Sequence, residues 1–298
     1  MMRRFLLVSL VVAFVVVAGF SGMVRAENYD VGLAISTLDN PFFVDLRDGA
    51  QDAAEEHGVN LTVYDAGDDA ATQMSNVEDM VITGMDLIVI NPVDGDAIVP
   101  AIEEAQMADI PVITVDRGAE TEVDVHIASD NIAGGEMAAE HLAELLGDTG
   151  QVIEIEGIPG TSAARERGEG FNAVMDEKED IEIIARQPAG FSRSEGMSVM
   201  EDLLEAHPQF DGLFAHNDEM ALGAIEALDA ADRLDEVFVV GFDAIDDALA
   251  AIEEGSLDAT IAQQPVVMGE LSIEYAVNFL AGEEVDDFVP VPLELITQ

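Results

Sequence analysis

The chain has 298 residues, of which 62 are Asp or Glu and 11 are Lys or Arg, giving a formal charge of -51 with no Cys and no Trp. So negative a field repels phosphate, which excludes nucleic-acid binding by bulk electrostatics; the lack of thiols excludes disulfides and thiolate metal sites. A hydrophobic content of 49%, spread along the whole length, is that of a chain that folds.

The N-terminus differs in composition from the rest. Arg3 and Arg4 precede an apolar run of 16 residues from Phe5 to Phe20, followed by Ser21-Gly22-Met23-Val24-Arg25-Ala26. A basic start, a short apolar stretch and a small-residue end predict a cleavable secretory signal over 1–26. The run is shorter than the roughly 20 residues of a spanning helix, and with no Cys after it a thioether-linked lipid anchor is excluded. The mature chain, Glu27 to Gln298, keeps 62 acids and 8 cations, a formal charge of -54. At ~1 M salt the Debye length is ~3 Å and the self-repulsion is screened, so the surface reads as adapted to a high-salt medium. A basic partner would call for a localised acidic tract, whereas these acids occur in every segment.

From Tyr29 onward apolar runs alternate with amphipathic stretches. Strands are predicted at 31–35, 61–64, 87–90 and 111–115, with helices at 42–57, 70–84 and 96–108 between them. The pattern pauses around 118–130. It resumes with helices at 132–147, 162–178, 194–206, 218–231 and 245–253 and strands at 151–156, 181–187, 212–215 and 237–241. This is a βαβ series made of two sets, hence two α/β lobes with doubly wound parallel sheets, and the length suits two domains of ~150 residues. A strand at 259–262, a helix at 266–281 and a Pro-flanked C-terminal strand remain, and periodicity does not assign them to a lobe.

Ligands of open parallel sheets bind beyond the carboxyl ends of the strands. The residues there are Ser36 to Phe43, Asn91-Pro92, Asp116-Arg117, Gly157 to Arg167, Phe191, His216-Asn217-Asp218, Phe242-Asp243 and Gln263. Phe mixed with carboxylates, amides and guanidinium groups suits a sugar, whose hydroxyls take paired hydrogen bonds and whose C–H faces pack on rings. Each site has a plainer reading. Asn40 and Pro41 can simply start a helix, yet Phe42 and Phe43 at that start cannot both face a sheet core, so at least one is left for a ligand. Asp116-Arg117 can be a surface pair, but an Arg at a strand's end stands out among 8 mature cations. Arg165 and Arg167 point in different directions from one helix, and at least one of them is expected to face a ligand.

Acids are so frequent that paired carboxylates say nothing of acid/base catalysis. His57, His126, His141, His207 and His216 lack metal-ligand spacing, and no nucleophile elbow or phosphate loop is present. The Met residues read as core filler. Binding is therefore favoured over catalysis, with no metal and no cofactor.

Taken in order, these segments resemble the sugar-binding type I periplasmic binding proteins, in particular the ribose-binding members that serve ABC importers. The resemblance rests on Ser36 to Phe43, Ile90-Asn91-Pro92, Pro111 to Arg117, His126 to Asn131, Gly160 to Phe171, Asn217 to Ala224, Val240-Gly241-Phe242-Asp243 and Ala259 to Gln263, and it spans the mature chain. It implies that Phe42 and Phe43 pack on one face of a pyranose and Phe191 on the other, with Phe242 closing the wall. Asn40, Asp116, Arg117, Arg167, Asn217, Asp243 and Gln263 would bond the hydroxyls and ring oxygen, and Ser36 would line the same cleft. Departures fall beside the site, at Asp39, at Gly190 and Ser192 flanking Phe191, and at His216.

The resemblance further implies lobes of 27–129 plus 264–291 and 130–263 plus 292–298, joined by a three-stranded hinge. A monomer in the periplasm or secreted, not an enzyme, would close on D-ribose or a related monosaccharide and be read by an ABC permease/ATPase complex, with a chemoreceptor as a second candidate reader. Alternatives are the same fold holding allose or a furanosyl signalling molecule, or an extracellular sugar-processing enzyme. Sugar-responsive repressors share the bilobal core but need an N-terminal helix-turn-helix where the signal stands.

Overall fold

The computed structural model describes residues 28–298, and the predicted signal over 1–26 lies outside them. Twelve strands and nine helices follow one another along this stretch. They are β1 (Asp30–Ile35), α1 (Pro41–His57), β2 (Asn60–Asp65), α2 (Ala70–Thr83), β3 (Leu87–Ile90), α3 (Val99–Met107), β4 (Val112–Val115) and β5 (Val125–Ser129). Then come α4 (Asn131–Leu146), β6 (Gly150–Glu156), α5 (Ser162–Met175), β7 (Ile181–Pro188), α6 (Arg193–Ala206), β8 (Gly212–Ala215), α7 (Asp218–Ala230), β9 (Phe238–Val240) and α8 (Asp246–Glu254). The chain ends with β10 (Ala259–Ala262), α9 (Pro265–Leu280), β11 (Phe288–Val291) and β12 (Glu294–Thr297).

The strands form two six-stranded sheets, ordered β2-β1-β3-β4-β5-β11 and β7-β6-β8-β9-β10-β12. Both orders reverse beside their first strand, the doubly wound arrangement, which opens a crevice at the carboxyl ends where the order turns. β3, β4 and β8 are buried along their whole length, as predominantly apolar strands covered by helices on both faces must be. Because β5 and β11 belong to the first sheet and β6, β10 and β12 to the second, the chain passes between the sheets three times, after β5, after β10 and after β11.

Helix starts are fixed by short polar side chains directly after strands. Asn40 accepts from the Phe42 amide, Asp130 from Ala133, Thr161 from Ala164 and Asn217 from Met220. Each such cap is worth about 1 kcal/mol and aims a helix N-terminus at the crevice.

Three features differ from the sequence reading. The pause around 118–130 contains β5, whose Val-His-Ile-Ala-Ser stretch has no contiguous apolar run; the polar His126 is accommodated by the Thr114 hydroxyl 2.9 Å from its Nδ1. The single C-terminal strand is two, β11 and β12, one in each sheet. Pro290 is tolerated within β11 because that strand is an edge. Finally, the second sheet is not wholly parallel, since β12 runs antiparallel to β10.

Candidate functional site: a cavity between the two sheets

The carboxyl ends of both sheets face each other across a small, tightly lined cavity, bounded by Asn40, Phe42, Phe43, Asp116, Arg117, Ala163, Arg167, Phe191, Asn217, Asp243 and Gln263. Ten of the twelve residues singled out in the sequence are among them. Ser36 and Phe242 are not. The Ser36 amide donates to Asn91 Oδ1, and the Phe242 ring lies flat against the Arg167 guanidinium, 3.9 Å from ring centre to Cζ.

Each lining side chain is placed by its element. Pro41 starts α1 with Asn40 as its cap, and the first turn carries Phe42 and Phe43 as an edge-to-face pair with centroids 5.2 Å apart at 88°. Both rings are nearly fully buried and both residues line the cavity, so the helix start supplies two aromatic side chains to it rather than one. Asp116 and Arg117 leave β4 through a left-handed turn, φ 63° at Asp116. Phe191 has φ 59° and Asp243 φ 124°. Left-handed backbone at a non-glycine residue costs of order 1–3 kcal/mol and persists where surrounding structure enforces it. Three such residues around the cavity, one from the first sheet and two from the second, mark where stability has been exchanged for side-chain direction. Phe191 depends in addition on Gly157, because a Cβ there would sit 2.0 Å from the Phe191 ring.

The two guanidinium groups are held differently. Arg117 lies between the rings of Phe43 and Phe191, 5.0 and 5.2 Å from their centroids. Its Nη1 donates to the Pro92 carbonyl at 3.3 Å, and its Nε is 3.8 Å from Asp116 Oδ2. Arg167 donates from Nε to Asn131 Oδ1 at 2.8 Å and from Nη1 to the His216 carbonyl at 2.6 Å, with Asp243 Oδ1 3.6 Å away. Arg165 points elsewhere, to Glu120 and Glu166 at the surface.

Amides complete the wall. Asn217 Nδ2 donates to the Phe191 carbonyl at 3.2 Å. Gln263 Nε2 donates to Asp243 Oδ1 at 2.7 Å, while Gln263 Oε1 is buried with no hydrogen-bond partner in the protein. Such an orphan acceptor costs ~1–3 kcal/mol unless something in the cavity donates to it. Burial pushes the Asp116 carboxyl up, with Arg117 and then Arg167 holding it back. Burial likewise raises Asp243 well above the ordinary 3.8, opposed by Arg167 and reinforced by Asp218 and Asp116. The carboxylates and cations thus sit as desolvated, mutually dependent groups ready to exchange hydrogen bonds with a polyol.

Four supports stood in the segments named from the sequence but were given no role there. Asn91 donates from Nδ2 to the Val115 carbonyl and to Asp116 Oδ2 at 3.2 Å, and its own carbonyl accepts from Gln73. Asn131 and His216 steer Arg167, and Ala163 fills the wall. Asn91 stood at a strand's end, the one signal available; a backbone carbonyl such as that of His216 leaves no mark in a sequence. Among the described residues no group of three or more His, Asp or Glu is arranged to hold a metal ion, and no helix is long and apolar enough to cross a membrane.

Residues 31–284 match the family described as periplasmic binding protein domain. The ribose import binding protein of Bacillus subtilis is 45% identical over 273 residues, 91% of this chain and 88% of that protein. The ribose import binding protein of Escherichia coli is 47% identical over 294 residues, 98% of each chain. Among solved structures, an ABC transporter solute binding protein from Bacillus halodurans with bound myo-inositol superposes with a TM-score of 0.87 at 34% identity, covering 91% of this chain and 94% of its own. A solute binding protein from Actinobacillus succinogenes with bound D-allose gives 0.85 at 30% identity, covering 90% and 97%.

Proposed function

The chain belongs to the periplasmic binding protein family, and on that premise we propose that it is the solute-binding component of an ABC sugar importer, capturing D-ribose reversibly and without chemistry. The observation that carries the ligand class is the cavity wall itself. Rings of Phe42, Phe43 and Phe191 line it together with two desolvated guanidinium groups, two carboxylates and three amides. Relatives that share almost half of the sequence over nearly its full length are ribose import binding proteins; solved neighbours hold myo-inositol, D-allose, glycerol and D-arabinose.

In this reading the rings pack on the C–H faces of a pyranose. Asn40, Asp116, Arg117, Arg167, Asn217, Asp243 and Gln263 bond its hydroxyls and ring oxygen, with Ser36 and Phe242 supporting the wall from behind. Discrimination comes from polar groups such as Gln263 Oε1, which stay unpaired when a sugar lacks or misplaces a hydroxyl; that penalty exceeds the effect of a misfitting methylene. The mobile bodies are lobes of 27–129 plus 264–291 and 130–263 plus 292–298, closing by hinge bending at the three chain passages. The closed form is what the permease reads, and the monomer reaches the periplasm through the signal over 1–26.

A thermal-shift screen across pentoses and hexoses tests the ligand. Ribose should raise the melting temperature by mass action at concentrations where its epimers do not; equal shifts from every pentose would overturn ribose as the ligand.

A further inference from the structure

Beside the cavity, the two lobes meet along a short polar seam whose residues are not among those that line it. On the first lobe it consists of the loop after β3 and the loop that continues from Arg117, which are tied together by the Glu120 amide donating to the Gly95 carbonyl at 2.9 Å. On the second lobe it is the start of α5 and the turn before it. Three contacts cross. The Gly95 amide donates to the Gly160 carbonyl at 3.3 Å, the Gly118 amide donates to Ser162 Oγ at 2.9 Å, and Arg165 Nη2 lies 3.1 Å from Glu120 Oε1.

Glycines let the lobes approach closely at one of these contacts. A Cβ on Gly95 would lie 3.7 Å from the Gly160 carbonyl oxygen, and one on Gly160, where φ is 99°, would lie 2.5 Å from Asp94 Oδ2. Ser162 is buried and Gly118 half-buried, so their bond is shielded from water, whereas Arg165 and Glu120 are about half exposed, with side-chain exposures of 52% and 47%. Exposed pairs contribute little; the shielded Ser162 bond carries the greater share.

We infer that Ser162, with Arg165 as a weaker second, is an affinity-determining latch. It touches the partner lobe only when the cleft is shut and so sets the closed–open balance for every sugar alike. The inference rests on the reading above of hinge closure around a sugar. When the lobes part, water replaces Ser162 Oγ on the Gly118 amide. Removing the hydroxyl therefore leaves that amide unsatisfied in the closed form alone, and the loss appears in binding rather than in the stability of the open protein. Since apparent affinity scales with the population of the competent state, the factor is common to all ligands.

The test compares wild type with Ser162→Ala and Arg165→Ala by calorimetric titration with D-ribose and a weaker-binding sugar, and by melting without sugar. Ser162→Ala should weaken both sugars about 10-fold, keep their ratio, and leave the sugar-free melting temperature unchanged. Arg165→Ala should weaken both about 2-fold in dilute buffer and by nothing measurable at 1 M salt. Unchanged affinity in Ser162→Ala, a changed ratio between the sugars, or a lowered sugar-free melting temperature each overturns the latch. Failure of the wild type to bind ribose would instead overturn the functional reading.

Discussion

Replacing Arg167 by Met should separate its two roles. The side chain is 3% exposed and satisfies three groups at once: Asn131 Oδ1, the His216 carbonyl and the Asp243 carboxylate. Met keeps an unbranched apolar side chain in this place but strips all three, and breaking a buried ion pair from one side typically costs about 3–5 kcal/mol because a charge is left unpaired. Asp243 answers part of this by protonating, since burial already raises it. Adding Asp243→Asn removes the stranded charge, so denaturant titration should show the double variant recovering about half or more of the lost stability. Ribose affinity should not recover. Losing a multidentate charged donor inside a desolvated cavity is worth at least about 3 kcal/mol, a factor of over 100, in both variants. Wild-type affinity in Arg167→Met would refute the role of the guanidinium in binding. A double variant no more stable than the single would refute the buried-pair reasoning.

Three further outcomes follow from other parts of the structure. Gly157→Ala places a methyl 2.0 Å from the Phe191 ring; the ring must leave the wall, and calorimetry should show ribose affinity down by about 100-fold or more, the loss of an aromatic anchor, with unchanged affinity contradicting the placement of Phe191. Asp218 is buried, accepts from Thr260 and the Ile245 amide, and is raised from 3.8 to about 6, chiefly by burial. The folded state then binds more protons than the unfolded one between those values, so stability falls as pH rises from about 4 to 6, by about 3 kcal/mol; the difference between wild type and Asp218→Asn should show that slope, and parallel pH profiles would exclude it. With 62 acids against 8 mature cations, the melting temperature should climb steeply from dilute to multimolar NaCl as repulsion is screened, and a flat response would remove the high-salt reading.

The two-lobed α/β architecture was legible because β3 and β8 are uninterrupted apolar runs, and β4 is broken only by Thr114, between amphipathic helices. β5 escaped because His126 and Ser129 break its run; the His126 ring is met by the Thr114 hydroxyl, a tertiary partner that periodicity does not see. The C-terminal strands escaped assignment for a related reason. Which sheet takes β11 or β12 depends on the chain crossing between lobes, a long-range choice with no local signature. At the site, the strand-end rule found the lining side chains, since Asp116, Phe191, Asn217, Asp243 and Gln263 all lie just beyond strands. It could not rank them. Ser36 obeys the same rule yet does not line the cavity, where Asn91 Oδ1 takes its amide. Nor could it show that Arg165 and Arg167, two residues apart, divide between the seam and the cavity.

The central claim is stoichiometric capture of ribose in the cavity between the lobes. Calorimetric titration of the mature protein with D-ribose, followed by recovery and chemical examination of the sugar, tests it most directly. The account predicts one site per chain, affinity well above that for arabinose or xylose, and ribose returned unaltered. Absence of ribose binding alongside tight binding of another sugar, or conversion of the ribose to a product, would contradict it.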